Sequence, residues 1–448
     1  MVKKNSLSPL AIADQLLSIE KRHFLYWGDS IYVFDGGCWK REINFETTLN
    51  RLLLDDTILN KYAGSSKVAT IQKVFEARFF KSYDPSVLEF WLDGRNVRVL
   101  KVGNGLIDLD RLCECQTKAV LIPNTSDFFT QSAIPVSYDP KADYPTFRKI
   151  LNEILPDEGI QQFLQEWVGY LLTNDLSQQK FVIFLGEGAN GKSVLITVIS
   201  TLLGQGNISA VPLESFNPVR TFPLAAMKSK RVNIAGEIGH APRVAEGIIK
   251  QIVGGDPITL EEKHKPAFET IIPAKLMFCT NTLPHFSDAS QGLWRRLVIV
   301  PFNVTIPEGQ QDKRLVDVDF WKDSGEMPGI LNWALEGLKR LRHRDHFDIP
   351  PACQRIVMEH QQDCNPLKTF LDDSYILDED LSIGVSDLYS EYREWMSENG
   401  HNALSQPKFS REVQRIFPEA KKSENARKFG SSSARQRVWQ NLGKISSA

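Results

Sequence analysis

The sequence predicts a multidomain α/β chain: an N-terminal mixed α/β region, a helical collar region, a central domain on a parallel sheet around a phosphate-binding loop, and a C-terminal winged-helix domain. Three observations predict it. Between residues 181 and about 302, apolar strand-like runs alternate with helical runs, the pattern of a parallel sheet wrapped by crossover helices. Ahead of them lies a block whose apolar residues recur at three and four, and behind them two helical patterns precede a short basic hairpin. The 448 residues, 42% hydrophobic and 24% charged, have the composition of globular protein, and roughly 150 residues per domain gives about three folding units. The expected boundaries are 1–140, 141–178, 179–350 and 355–448.

Residues 1–140 mix amphipathic stretches with apolar alternations such as SIYVF and NVRVLKVGNGLIDLD, where Asn104-Gly105 signals a turn between two strands. The Pro-punctuated segment IPVSYDPKADYP then leads into TFRKILNEILPDEGIQQFLQEWVGYLLTNDL, the helical block. After the central domain, a helix carrying NWALEGLKRLRHR stops at Pro350-Pro351. Charge changes twice from there: residues 371–380 hold five acids, whereas 401–448 hold five Lys and five Arg against three Glu. The net charge of −2 means that any nucleic-acid surface must be local. No apolar run approaches the roughly 20 residues of a membrane span, so no membrane partner is expected, and the N-terminus does not read as a signal peptide. Six scattered cysteines suit neither a disulfide framework nor a paired zinc site, and a reducing cytoplasm is the expected compartment.

The chemistry starts at FVIFLGEGANGKSVLITVISTLLG, an apolar strand, a glycine-rich turn and an amphipathic helix. Gly186, Gly191, Lys192 and Ser193 satisfy GxxxxGK[ST], with Gly188, Asn190 and Val194 completing the loop. Glycines let successive N–H groups face one concavity, the helix N-terminus adds its positive dipole end, Lys192 reaches the outer phosphates and Ser193 offers a hydroxyl to Mg²⁺. ATP and Mg²⁺ are the expected cofactors. Nucleotide hydrolysis also needs a carboxylate on a neighbouring strand, and Glu237 ends the run KRVNIAGE 45 residues after Lys192, as a candidate for both metal and water. AKLMFCTN ends in Asn281, a neutral amide suited to orient water or the terminal phosphate. GLWRRLVIVPF places Arg295 and Arg296 before another strand, where a guanidinium aimed at a neighbour's nucleotide would stabilise the charge that develops in phosphoryl transfer. Between Glu237 and Asn281, VGGDPITLEEKHKPAFETIIP reads as two strands around a basic tip with Lys263, His264 and Lys265, which suits gripping a phosphate backbone.

In this order GEGANGKS, the single Glu of NIAGE, GGDPI with its basic loop, CTNTLP and LWRRL resemble the superfamily 3 helicases, in the phage, plasmid and poxvirus-type primase-helicase branch. The likeness is close over residues 141 to about 340, and the NGLIDL and SYDP segments extend it. It implies an AAA+ core that forms a ring, usually a hexamer, with nucleotide between subunits. Lys192, Ser193, Glu237 and Asn281 would serve the cis site and an arginine of the 295–296 pair would act in trans. The basic hairpin would point Lys263, His264 and Lys265 into the channel and draw one DNA strand through it. Only about 140 residues precede the helical block and no zinc-ligand cluster occurs there, so primase activity is not expected in this chain. Asp108 and Asp110, a polymerase-like pair by spacing, belong to the NGLIDL element and are assigned no catalysis.

At the C-terminus, VSDLYSEYREWMSENG and SQPKFSREVQRIF read as two helices, the second starting after Ser405 with Pro407 in its first turn. A basic hairpin follows. That is the order of a winged helix, and it resembles the domain that closes many phage primase-helicases. The second helix would turn Lys408, Arg411 and Arg415 to DNA, with Lys421, Lys422, Arg427, Lys428, Arg435 and Arg437 in the wing and its approach. The expected protein is thus an ATP-driven helicase of a phage, plasmid or other mobile element, acting in a bacterial host cytoplasm on single-stranded and forked or origin DNA. A separate primase, polymerase or loader is a candidate partner. The alternative is an ATP-switched initiator or loader that binds DNA without unwinding; a P-loop small-molecule kinase would explain neither the basic hairpin nor the basic tail.

Overall fold

The structure, a computed structural model, describes residues 7–19, 22–83, 87, 89–114, 120–236, 246–263, 266–286, 291–423, 427–428 and 435–445. The chain divides into two units, one of residues 1–284 with 295–354, the other of 285–294 with 355–448.

The first unit opens with three antiparallel strands, His23–Trp27, Ser30–Phe34 and Trp39–Glu42. Gly28 and Asp29, with φ of 55° and 56°, turn the first into the second, as a two-residue hairpin loop requires. Both faces of this small sheet are covered, which is why SIYVF is continuously apolar. Phe24, Ile31 and Val33 pack with Leu49 and Phe75 of the helices Phe45–Asp55 and Val68–Arg78. Leu25, Trp27, Tyr32 and Trp39 gather around Phe129 on the other face. Further on, Val99–Val102 pairs with Gly105–Asp108, Val102 opposite Gly105. The turn is therefore Gly103-Asn104, one residue earlier than the Asn-Gly signal, because Gly105 passes so close to the Ile122 carbonyl that a Cβ there would come within 2.6 Å. Asp108 is 5% exposed and accepts from the backbone N–H groups of Asp110 and Arg111, capping helix Leu109–Cys113.

The centre is a five-stranded, wholly parallel sheet in the order Ile208–Ser209, Val232–Ala235, Lys275–Thr280, Phe181–Leu185, Leu297–Pro301. Strand Lys275–Thr280 lies between Phe181–Leu185, which runs into the glycine-rich loop, and Val232–Ala235, and so delivers Asn281 beside that loop. The helices Pro145–Ile154, Glu158–Leu171 and Met327–Arg344 share the sheet's core, with Phe147, Trp167 and Leu338 among the buried residues. The carboxylate of Glu326, 8% exposed, accepts from the backbone N–H groups of Thr146 and Phe147 at 3.0 Å each, capping the first of these helices from 180 residues away. In the second helix Glu166 is buried and paired with Arg340 at 2.7 Å and with Arg344.

In the second unit, helix Pro366–Ser374, strand Ser382–Gly384, helix Val385–Glu398 and helix Gln406–Ile416 are followed by Lys421–Lys422 and Val438–Gln440, and Val438–Gln440 is the middle strand of a three-stranded sheet, antiparallel to both Ser382–Gly384 and Lys421–Lys422. Between those last two strands a short ladder joins Arg427–Lys428 to Arg435–Gln436. Leu388, Tyr392, Phe409, Val413 and Trp439 form the core. From residues 285–294, Phe286 and Trp294 pack edge-on against each other and against His360. Among the described residues no helix is long and apolar enough to cross a membrane.

Candidate functional site

The strand Phe181–Leu185 is fully apolar and ends where the chain must reverse into helix Lys192–Leu203. The reversal uses backbone conformations that L-residues resist: φ is 116° at Gly188, 46° at Ala189 and 84° at Gly191. Space is short as well, since a Cβ on Gly191 would lie 2.4 Å from Ile154. Such a turn points backbone N–H groups inward above a helix N-terminus, an arrangement that favours an anion.

Lys192 is 8% exposed and its Nζ donates to the carbonyl of Gly186 and to Asn190 Oδ1 at 3.1 Å. Neither partner is charged, and burial holds its pKa below the usual lysine range. Among the described residues the ammonium makes no ion pair; it faces a cavity of about 520 Å³ that Gly188, Asn190, Gly191, Ser193, Val194, Gly236 and Asn281 line, with the carboxylates of Glu153 and Asp312 also in the lining. Ser193 and Asn281 are exposed to it. Gly186 contributes its carbonyl, and its own N–H donates to Thr280 O at 3.2 Å, tying the loop to the strand that carries Asn281. Gly236 follows directly on the buried strand Val232–Ala235 and has open space where a Cβ would stand. Glu237 lies outside the described residues. For a triphosphate and Mg²⁺, the residues present fit: a glycine-lined hollow with a lysine ammonium, an exposed hydroxyl and an amide.

Two parts of this cavity carry no sequence signal. Ile150 and Ile154 come from helix Pro145–Ile154, and Ile306, Leu315 and Val316 from the loops and single 3-10 turns after strand Leu297–Pro301, with Asp312 and Lys313 also in the lining. Ile306 donates to the Ala189 carbonyl at 2.7 Å, so this segment braces the loop. The apolar patch suits a planar base beside the phosphate hollow. Glycine punctuation identified the loop, but irregular backbone has no periodicity to read.

Arg295 and Arg296 sit at the opposite end of the sheet. Leu297 pairs with Phe181 and Pro301 with Leu185, so the arginines precede the strand's amino end while the phosphate loop follows its neighbour's carboxyl end. At about 3.3 Å per residue, some 15 Å of strand separates them from the loop. Arg295 is exposed; Arg296 is half-buried, donates to Gln179 Oε1 at 3.2 Å and is held below its usual pKa by burial. The hairpin Ile258–Leu260 with Phe268–Thr270 is present and antiparallel, with Lys263 exposed in its turn. His264 and Lys265 lie outside the described residues.

On helix Gln406–Ile416, Phe409 and Val413 face the core while Lys408, Arg411 and Arg415 are exposed along one face, Arg415 paired with Glu412 at 2.7 Å. Lys421 is exposed, but Lys422 is half-buried, donates to Ser410 Oγ at 3.2 Å and lies 5.8 Å from the Trp439 ring centre. Burial lowers its pKa. Arg427, Lys428 and Arg435 stand in the short ladder, and Arg437 is exposed just after it.

Three families match this chain: one described as D5 N terminal like, over residues 21–156; a family of unknown function (DUF5906), over 184–296; and one described as Poxvirus D5 protein-like, over 362–441. Among curated proteins, "Putative helicase L207/L206" of Acanthamoeba polyphaga mimivirus is 25% identical over 445 residues, covering 86% of this chain and 45% of the relative. "Putative helicase 022R" of Frog virus 3 (isolate Goorha) is 24% identical over 274 residues, covering 57% of this chain and 28% of the relative. The chain therefore spans less than half the length of these relatives. Of solved structures, the A form apo structure of the NrS-1 C-terminal region is similar in fold with a TM-score of 0.57 at 9% identity, over 98% of this chain and 100% of that one.

Proposed function

We propose that this chain, which matches families described as D5 N terminal like and Poxvirus D5 protein-like and resembles the superfamily 3 primase-helicases, is an ATP-hydrolysing, ring-forming DNA helicase that serves replication of a mobile element. The observation that carries this reading is the cavity at the carboxyl ends of the parallel sheet, where Lys192, buried and without an ion pair among the described residues, faces Ser193 and Asn281. In this reading residues 179–350 are the AAA+ core, 141–178 its collar, 355–448 a winged-helix DNA-binding domain and 1–140 a separate N-terminal domain.

The N–H groups of the Gly188–Gly191 turn would hold the β-phosphate, and Lys192 would follow the charge that develops on the γ-phosphate. Asn281 would orient the attacking water, with Glu237 as its base. Ser193, with Glu237, would hold Mg²⁺, which supplies neutralisation of phosphate charge when bound. Arg295 and Arg296 lie too far from their own chain's loop to serve it. That supports a role for one of them at a neighbouring subunit's nucleotide and, with it, a ring, a hexamer by family resemblance. Lys263 on the hairpin, with His264 and Lys265, would grip single-stranded DNA. The basic face of helix Gln406–Ile416, with Lys421, Lys422, Arg427 and Lys428, would bind fork or origin duplex.

The test is ATP-dependent unwinding of a forked duplex, run beside ATP hydrolysis with and without single-stranded DNA, for the wild type and Lys192→Ala. Unwinding that the substitution abolishes is expected. DNA-stimulated hydrolysis without unwinding would favour the initiator or loader reading, and absence of hydrolysis in the wild type would overturn the motor.

A further inference from the structure

A second cavity in the first unit, of about 410 Å³, opens between the N-terminal three-stranded sheet, the segment that precedes strand Val232–Ala235, and the root of the basic hairpin. Its chemistry is unlike that of the nucleotide cavity. Arg41, Lys228 and Lys230 contribute three cations to the lining against one carboxylate, Glu262, and Trp27, Tyr32 and Tyr83 contribute rings. Glu262 is engaged with Lys228 at 3.4 Å. Lys230 donates only to the carbonyl of Gly206, at 2.6 Å, and neither it nor Arg41 makes an ion pair among the described residues.

The rings are set for contact. Tyr83 crosses Gly28 so closely that a Cβ there would meet its ring at 2.7 Å, and it packs edge-on to Trp27 with centroids 4.7 Å apart. This fixes Tyr83 while leaving it 41% exposed. Unpaired cations beside a fixed, accessible aromatic ring recognise a nucleotide, through its phosphate and the face of its base. Position supplies a source, because Glu262 in the lining is the immediate neighbour of Lys263 at the hairpin turn.

We propose that this cavity binds one nucleotide of a DNA single strand, its phosphate on Arg41 and Lys230 and its base against Tyr83. The N-terminal domain thereby becomes a second DNA contact, adjoining the hairpin. The proposal rests on the DNA-motor reading for the identity of its ligand.

The experiment is fluorescence anisotropy of a labelled oligothymidylate with the full chain at several salt concentrations. Arg41→Ala, at an exposed position, should weaken binding roughly tenfold and reduce the slope of log affinity against log salt by about 0.7, the value for one single-strand phosphate contact. Tyr83→Ala should weaken binding roughly tenfold with the slope unchanged. Unchanged affinity and slope in both variants, while Lys263→Ala loses binding, would overturn this inference and leave the motor standing. No binding by the wild type would sink the motor reading itself. Competition separates the sources: a free mononucleotide or an acidic peptide that displaces the oligomer as well as unlabelled oligomer does would overturn the assignment to a DNA strand.

Discussion

The two ends of the central sheet use the same kind of residue for opposite purposes. At the amino ends, four adjacent strands begin with or follow directly on a cation: Arg231, Lys275, Lys180 and Arg296. At the carboxyl ends, among the described residues, stands one buried cation, Lys192. The amino-end cations find protein partners. Arg231, 1% exposed, donates to the carbonyls of Leu172 at 2.6 Å and Ser132 at 2.8 Å and faces Glu89 at 3.5 Å. Lys275 donates to the Thr173 carbonyl and lies 4.8 Å from the Tyr170 ring centre. Leu172 and Thr173 close helix Glu158–Leu171, so these two cations sit at the negative end of its dipole and satisfy carbonyls that the helix leaves unpaired. Lys192 has, among the described residues, only a loop carbonyl and an amide, and an open cavity before it. A cation at a strand end is structural where protein carbonyls or carboxylates close around it, and available to a ligand where they do not.

The comparison breaks first at Lys192. Lys192→Ala should leave no measurable ATP hydrolysis, because nothing else among the described residues brings positive charge to the buried side of the loop; a phosphate-release assay reads it, and the unfolding midpoint should move little. Next come the two arginines, which chain position makes look equivalent. Arg295 is exposed and Arg296 is half-buried on Gln179. Arg295→Ala should therefore lower hydrolysis about 10³-fold, the scale of a trans arginine, while Arg296→Ala should act mainly on stability. Inactive subunits mixed into wild-type protein should depress its rate more than in proportion. Equal, wild-type-like rates in both variants would remove the trans arginine.

How far the sequence could foresee this division depends on what each residue's role requires. The phosphate loop is local: strand, positive-φ glycines and helix are contiguous, so twenty residues carry nearly everything that shapes it. The hairpin between Ile258 and Thr270 and the alternation of apolar runs across the sheet were legible for the same reason. Ile306 and Val316 at the cavity, Glu326 capping a helix 180 residues earlier, and the closure of carbonyls around Arg231 depend on contacts between distant segments, and neither period nor spacing encodes them. The arginine pair falls between. Its residues were evident, but that it lies at the far end of the sheet from its own loop follows only from strand order.

At the amino ends the expected losses are of stability. Arg231→Met would leave the Leu172 and Ser132 carbonyls without their donor and Glu89 without its partner. Removing one member of a buried pair costs about 3 kcal/mol, to be read as a lower unfolding midpoint with nucleotide binding retained by the protein that remains folded. A midpoint like the wild type's would show that water can replace the guanidinium there.

The smallest effect is the most specific. Burial, with Arg231 nearby, brings the pKa of Lys275 down to about 7, against 10.5 for an ordinary lysine, despite the opposing influence of Asp175 and Glu89. Between pH 7 and about 10.5 the unfolded chain then holds a proton at this site that the folded chain has given up. Since stability rises with pH wherever the unfolded state binds more protons, this lysine should raise the unfolding midpoint by a few degrees as pH goes from 7 towards 9.5, and contribute no slope below 7, where both states are protonated. Lys275→Met keeps the length and removes the titration, so its midpoint should be flatter over that window than the wild type's. Identical slopes would mean that Lys275 stays charged in the fold, its ammonium fully compensated by Thr173 and the Tyr170 ring, and that the two ends of the sheet differ less in electrostatics than in access.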